Sequence, residues 1–178
     1  MNTLHYLIHT TAYYVAWFAC ITLAARGYAW ISSLIAVACV VLQLYWQHQT
    51  GRTLQGLSLL LAVIVSISTL IDSILVYKGI VIYAANPFSP YFTSPWMITI
   101  WISFTVVLYA TLSNLFDHLF LLGLLSFVGF TLAFRIGEHL GAAFFPYGSN
   151  TTSLFIGIVW AVVLPFCVYC YQKIRDDK

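Results

Sequence analysis

Asp72 is a carboxylate inside an apolar run, flanked by Leu70-Ile71 and Ile74-Leu75. A charge at the middle of a membrane-spanning helix costs roughly 3 kcal/mol on insertion scales, so such a residue calls for a partner or a task. The best partners by depth are Arg135, Glu138 and His139, in the final turns of another apolar run. Arg135 reaches Glu138 and His139 at i+3 and i+4, which places the three on one helical face. The expected arrangement is an ion pair between Asp72 and Arg135 with Glu138 and His139 beside it. It would act either as a staple between two helices or as a site for a ligand, a proton or catalysis.

Histidine supplies a second constellation. His5 and His9 stand at i and i+4, the spacing that lets two imidazoles on one helical face share a metal. His48, His118 and Asp117 fall on the same side of the membrane, so the four histidines could converge on an ion if three separate segments meet. The alternative is polar residues scattered at headgroup depth, and on that reading no metal is expected. Cys167-Val168-Tyr169-Cys170 has C-x-x-C spacing, but it lies in an apolar helix without the basic neighbours or helix N-terminus that activate a thiol. These two cysteines, with Cys20 and Cys39, read as buried packing residues. No motif names a cofactor or a reaction, which leaves open whether the chain is an enzyme.

The elements that must position these residues follow from composition. Of 178 residues only 7% are charged and 62% are apolar, with mean hydropathy +0.93, whereas soluble domains average about 25% charged residues. Such a chain belongs in a bilayer, as an all-α integral membrane bundle. Six runs read as transmembrane helices, over about 7–25, 28–46, 54–77, 95–114, 119–145 and 153–171, in a single domain. Residues 78–95 form a loop, because Asn86-Pro87, Ser89-Pro90 and Ser94-Pro95 disfavour helix before each proline. Pro95 suits the first turn of the fourth helix, where its missing N–H costs nothing. By helical rise Asp72 lies about 27 Å along the third run and Arg135 about 24 Å along the fifth, so the depths match.

An even number of spans puts both termini on one side. That side carries Arg52, Lys173, Arg175 and Lys178, against Arg26, Lys78 and Arg135 on the other, and the positive-inside rule then favours cytoplasmic termini. Trp30, Trp46 and Trp96 fall at span ends, as an aromatic belt requires. Small residues step along three faces: Ser58, Ala62, Ser66, Thr69 and Ser73; Thr99, Ser103, Ala110 and Asn114; Gly123, Ser126, Ala133 and Gly137. Small stripes let helices approach closely in lipid, and Gly137 to Gly141 adds a G-x-x-x-G pattern. The third to fifth spans are therefore expected at the bundle centre, with the Asp72 cluster at its non-cytoplasmic end, and the small faces offer a surface for a second copy. With seven Lys and Arg and a net charge of +2, nucleic acid is not an expected partner; membrane lipids are.

Several of these residues carry a resemblance. Trp17-Phe18-Ala19-Cys20, Asp72-Ser73-Ile74-Leu75 followed by Gly79, Pro95-Trp96 with Trp101, Leu112-Ser113-Asn114-Leu115 and Gly137 to Gly141 together resemble the small bacterial membrane family called domain of unknown function 2878, over nearly the whole chain. The resemblance implies a multi-pass protein of the bacterial inner membrane. It also implies a link to lipid metabolism, since members of that family are often encoded near enzymes that modify fatty acyl chains. Three functions fit the chain at this level. A lipid-associated accessory protein or lipid-handling enzyme predicts a pocket opening sideways between helices. A small transporter or proton-linked channel, acting as an oligomer, predicts a continuous polar path. A structural or assembly subunit predicts no pocket.

Overall fold

Each apolar run folds into a helix whose ends are set by the residues flanking it. The computed structural model describes residues 3–49 and 55–176, and Arg52 and Lys178 lie outside them. The helices are α1 (Thr3–Ala24), α2 (Ala29–Gln49), α3 (Gln55–Tyr77), α4 (Pro95–Thr111), α5 (Leu119–His139) and α6 (Ser149–Asp176). Two short strands, β1 (Ile82–Tyr83) and β2 (Ala143–Phe144), pair antiparallel at one end of this all-α bundle. The α1–α2 turn is tight, with Gly27 at φ +90°, a conformation that costs glycine little. α4 starts where the prolines placed it: Ser94 is extended at φ −73°, ψ 146° and Pro95 opens the helix.

Several helix ends differ from the sequence reading, with α1 starting at Thr3 and α2 running to Gln49. α5 stops at His139 instead of running to about 145. The amide of Gly141 bonds the Glu138 carbonyl and that of Ala142 bonds the Gly137 carbonyl, both at 2.8 Å, with Gly141 at φ +82°. This is the left-handed glycine stop of a Schellman motif. The G-x-x-x-G pattern is thus a helix terminus, and it frees Ala143–Phe144 to pair with Ile82–Tyr83. α4 ends at Thr111, and a 3-10 turn over Ser113–Asp117 replaces the expected last turn to 114. α6 extends beyond 153–171 at both ends.

α1, α2, α3, α5 and α6 are long and apolar enough to cross a bilayer. α4 has 17 residues, about 26 Å at helical rise, and it occupies the centre alone. Its backbone packs on α1, α2 and α3, while the Trp101 ring reaches Phe130 of α5 and Trp160 of α6, with centroids 5.2 and 4.2 Å away. α5 packs along α6, and α3 along α4 and α6, so the third to fifth helices do not form a common core. The first part of the small stripe of α3 also faces away from it: Ser58, Ala62 and Ser66 are exposed, Thr69 is half-buried and Ser73 buried, whereas Leu57, Leu60, Ile64, Ser68 and Asp72 are buried. That buried set follows the i, i+3, i+4 spacing of one helical face. The ends alternate along the chain. His5 lies 3.3 Å from the Ala110 carbonyl and Gln172 donates to the Phe116 carbonyl at 3.1 Å, which puts the start of α1 and the end of α6 at the same end of the bundle.

Glycines do bring helices together, between α5 and α6. A Cβ on Gly123 would come within 2.8 Å of the Ala161 carbonyl oxygen. Pro165, inside α6, has no N–H to offer that carbonyl four residues earlier, and the Gly123 backbone fills the gap. A Cβ on Gly157 would meet the Thr131 hydroxyl and lie 2.9 Å from the Phe127 carbonyl oxygen.

Candidate functional site

Asp72 is fully buried, as its intramembrane position demanded, but its partner is neutral. The indole Nε1–H of Trp101 donates to Asp72 Oδ2 at 2.6 Å. Indole is a donor only, so the two groups match each other's needs across the α3–α4 contact. Oδ1 and the Tyr83 hydroxyl have no hydrogen bond of good geometry among the described residues. Tyr83 is nonetheless close enough to the carboxyl for the two to interact: burial first, then the neighbouring Asp72, hold the Tyr83 hydroxyl well above the usual phenol range. Tyr83 reaches this place because β1 pairs with β2 and turns alternate side chains to opposite faces, leaving Ile82 exposed and Tyr83 buried.

The ion pair expected between Asp72 and Arg135 does not form. Among the described residues the single ion pair is Arg175–Asp176, and Arg135 is exposed while Asp72 is buried. The two residues sit on helices placed differently from that expectation, because α5 packs along α6. The rest of the cluster does assemble. Arg135, Glu138 and His139 line one open groove of about 1000 Å³, together with Tyr83 and Phe144 of the strands and Ser149 at the start of α6.

A second cavity lies on the other side of the strand pair. It is a narrow cleft of about 50 Å³ between α1 and α5, floored by α4. Tyr13 and Trp17 of α1, Trp96, Trp101 and Phe104 of α4, and Phe130 of α5 supply an aromatic lining. α1 and α5 do not pack along each other, and the cleft lies between them. Gly137 lines it, and a Cβ there would meet nothing within 4 Å. Tyr83 and Ala143 line both the cleft and the outer groove, which makes the strand pair their common wall. Trp96, expected at the membrane interface, is 1% exposed and donates to the Ala84 carbonyl at 3.0 Å; the loop folded over it removes it from the belt.

The histidines do not converge. His5 and His9 are buried, with ring centroids 4.4 Å apart, whereas His48 and His118 are exposed. Among the described residues no group of three or more His, Cys, Asp or Glu is placed to hold a metal ion. The half of the bundle that holds the start of α1 instead buries a polar set that the sequence reading passed over. Gln43 donates to the His9 carbonyl at 3.1 Å and accepts from the Ser103 hydroxyl at 3.2 Å, and Gln47 is 1% exposed one turn further on. The signal was present in the spacing: Gln43 and Gln47 stand at i and i+4 on the α2 face that also buries Ala36 and Val40.

These helices and their buried polar groups define a multi-pass α-helical membrane protein. Residues 6–166 match the family described as a protein of unknown function, domain of unknown function 2878, and the chain belongs to that family. No curated protein and no solved structure matches it.

Proposed function

We propose that this protein is a lipid-handling component of the bacterial inner membrane. It takes the apolar part of a lipid sideways into the cleft between α1 and α5, while the polar end meets the groove of Arg135, Glu138 and His139. The observation that carries this reading is the aromatic cleft between α1 and α5, which shares the Tyr83 and Ala143 wall with a polar groove. Concave, mostly apolar sites with a few placed polar groups are the usual form of a small-ligand site. At about 50 Å³ the cleft admits only the end of a chain or the edge of a ring, and the groove has the volume and the charges for a headgroup. A subunit with only a packing role has no need of either.

Gly137 gives a direct test, since its Cα faces open cleft. Gly137→Phe should fill the cleft and lose the lipid that native mass spectrometry detects on the wild-type protein after mild extraction. Gly137→Ala should keep that lipid, and it should gain up to about 1 kcal/mol from helix propensity. Retention of the same lipid by Gly137→Phe would remove the cleft from the reading.

In this reading the groove faces the periplasm. Lys173 and Arg175 stand in the last turn of α6, at the same end of the bundle as the start of α1, and the sequence count of four Lys and Arg on that side against three on the other favours a cytoplasmic position for it. Reporter fusions at Lys178 and at Asn150 should therefore read cytoplasmic and periplasmic, respectively. A periplasmic signal at Lys178 would invert the orientation, and equal signals would overturn six spans.

A further inference from the structure

The outer groove holds two opposite charges that do not pair with each other. Arg135 and Glu138 stand at i and i+3 on α5 and both line it, a spacing at which opposite charges on a helix can meet. The single ion pair among the described residues is instead Arg175–Asp176, at the other end of the bundle. His139 adds an imidazole to the same wall, and no other Lys, Arg, Asp or Glu lines it. Glu138 is half-buried, so its carboxylate is partly withdrawn from water and gains from a donor that replaces what water gave.

This set of charges constrains the occupant. A headgroup with a phosphate alone satisfies Arg135 but sets its negative charge beside Glu138. A purely cationic group satisfies Glu138 and is repelled by Arg135. A group that carries both signs satisfies both side chains, each through a charge-assisted hydrogen bond, which is stronger than a neutral one. The rest of the wall is largely apolar, with Ile136 and Leu140 of α5 and Ile82 and Phe144 of the strand pair, all four of them exposed. Apolar surface beside the charges suits a headgroup that arrives attached to glycerol and chains.

We infer that the groove recognises the phosphoethanolamine headgroup of a membrane lipid. The Arg135 guanidinium, with a ring N–H of His139 beside it, donates to the phosphate, and the Glu138 carboxylate accepts from the primary ammonium. Two carbons separate the amine from the phosphate ester in this headgroup, a reach suited to side chains whose Cβ atoms are about 5–6 Å apart on one helical face. A primary ammonium has three N–H donors, whereas a trimethylated amine has none, so Glu138 tells the two apart. The inference rests on the reading of the groove as the place of a lipid's polar end, and it names that end.

The test exchanges the full-length protein into mixed micelles that hold equal amounts of phosphatidylethanolamine, phosphatidylcholine and phosphatidylglycerol of one acyl composition. Native mass spectrometry then counts the lipid retained. The wild-type protein should retain phosphatidylethanolamine about fivefold over either of the others, the effect of one charge-assisted hydrogen bond reduced by the water in an open groove. Glu138→Gln should bring phosphatidylethanolamine and phosphatidylcholine to equal retention and raise phosphatidylglycerol. Arg135→Gln should lower all three by a similar factor, since each carries the phosphate. Equal retention of the three by the wild type, or a preference for phosphatidylglycerol, would overturn the headgroup assignment and leave the lipid reading standing. Retention of none would remove that reading and this inference with it. A preference for phosphatidylethanolamine that survives in Glu138→Gln takes Glu138 out of the site, and unchanged retention in Arg135→Gln does the same for Arg135. Glycerophosphoethanolamine, the same headgroup without chains, should leave the bound lipid in place at equal concentration; its displacement of the lipid would make a water-soluble compound the ligand instead. The wild-type ratios decide the headgroup even where a variant fails to fold.

Discussion

Trp101→Phe should destabilise the detergent-purified protein by about 2–4 kcal/mol, most of it through Asp72. Phenylalanine keeps a ring against Trp160 and Phe130, which sit 4.2 and 5.2 Å from the indole, but it takes away the N–H that meets Oδ2 at 2.6 Å. Asp72 then stands fully buried without its donor. Asp72→Leu strands the indole N–H instead, at about 1–3 kcal/mol. The double variant Asp72→Leu, Trp101→Phe removes both needs and should lose less than the sum of the single changes by about 1 kcal/mol or more, the signature of residues in direct contact. Arg135→Gln, at an exposed position, should stay within about 0.5 kcal/mol of wild type. Denaturant titration of the five proteins checks the set. Additive losses for Asp72 and Trp101 would remove their pairing, and a loss of several kcal/mol in Arg135→Gln would restore the ion pair that the sequence suggests.

The second large effect belongs to Gly157. An alanine there places its methyl against the Thr131 hydroxyl and 2.9 Å from the Phe127 carbonyl oxygen. The hydroxyl can rotate away, but the carbonyl belongs to the backbone of α5 and cannot. Overpacking of this kind costs about 1–3 kcal/mol, and leucine at the same place should separate α5 from α6 and abolish the folded protein. Adding Thr131→Ala to Gly157→Ala should recover only part of the loss, because the carbonyl contact persists. Gly129→Ala is the control: nothing lies within 4 Å of its Cβ position, so it should be neutral or stabilising. Thermal melts of these variants in one detergent provide the measurement, and a Gly157→Ala protein as stable as wild type would mean that α5 and α6 are not in close contact.

How much of this was legible in the sequence depends on the kind of constraint. Six apolar runs, the proline-bounded loop and the start of α4 were readable because lipid and proline act locally. The burial of Asp72 was readable for the same reason, as a lone acid in an apolar run. Its partner was not, because depth says nothing about rotation. Trp101 lies six residues into α4 and Asp72 five from the end of α3, about 9 and 8 Å along their axes, so a depth argument fits the indole as well as it fits Arg135. A preference for pairing opposite charges decided wrongly between them. Gly141 shows a second limit, since the same spacing serves a packing face and a helix stop, and only the backbone bonds to Gly137 and Glu138 tell them apart. The β1–β2 pair was out of reach, because two residues per strand leave no periodicity to read.

The central position of α4 also bears on how the protein is made. Synthesis and insertion run from the N-terminus, so α1, α2 and α3 are present when α4 arrives, and its contacts with all three can form at once. The ring stack on Trp101 cannot, because Phe130 and Trp160 are still to be translated. The last hairpin to leave the ribosome therefore completes the ring stack around the residue that pairs with Asp72, and a nascent chain halted before α5 lacks Phe130, Trp160 and the β2 strand against which β1 sets Tyr83.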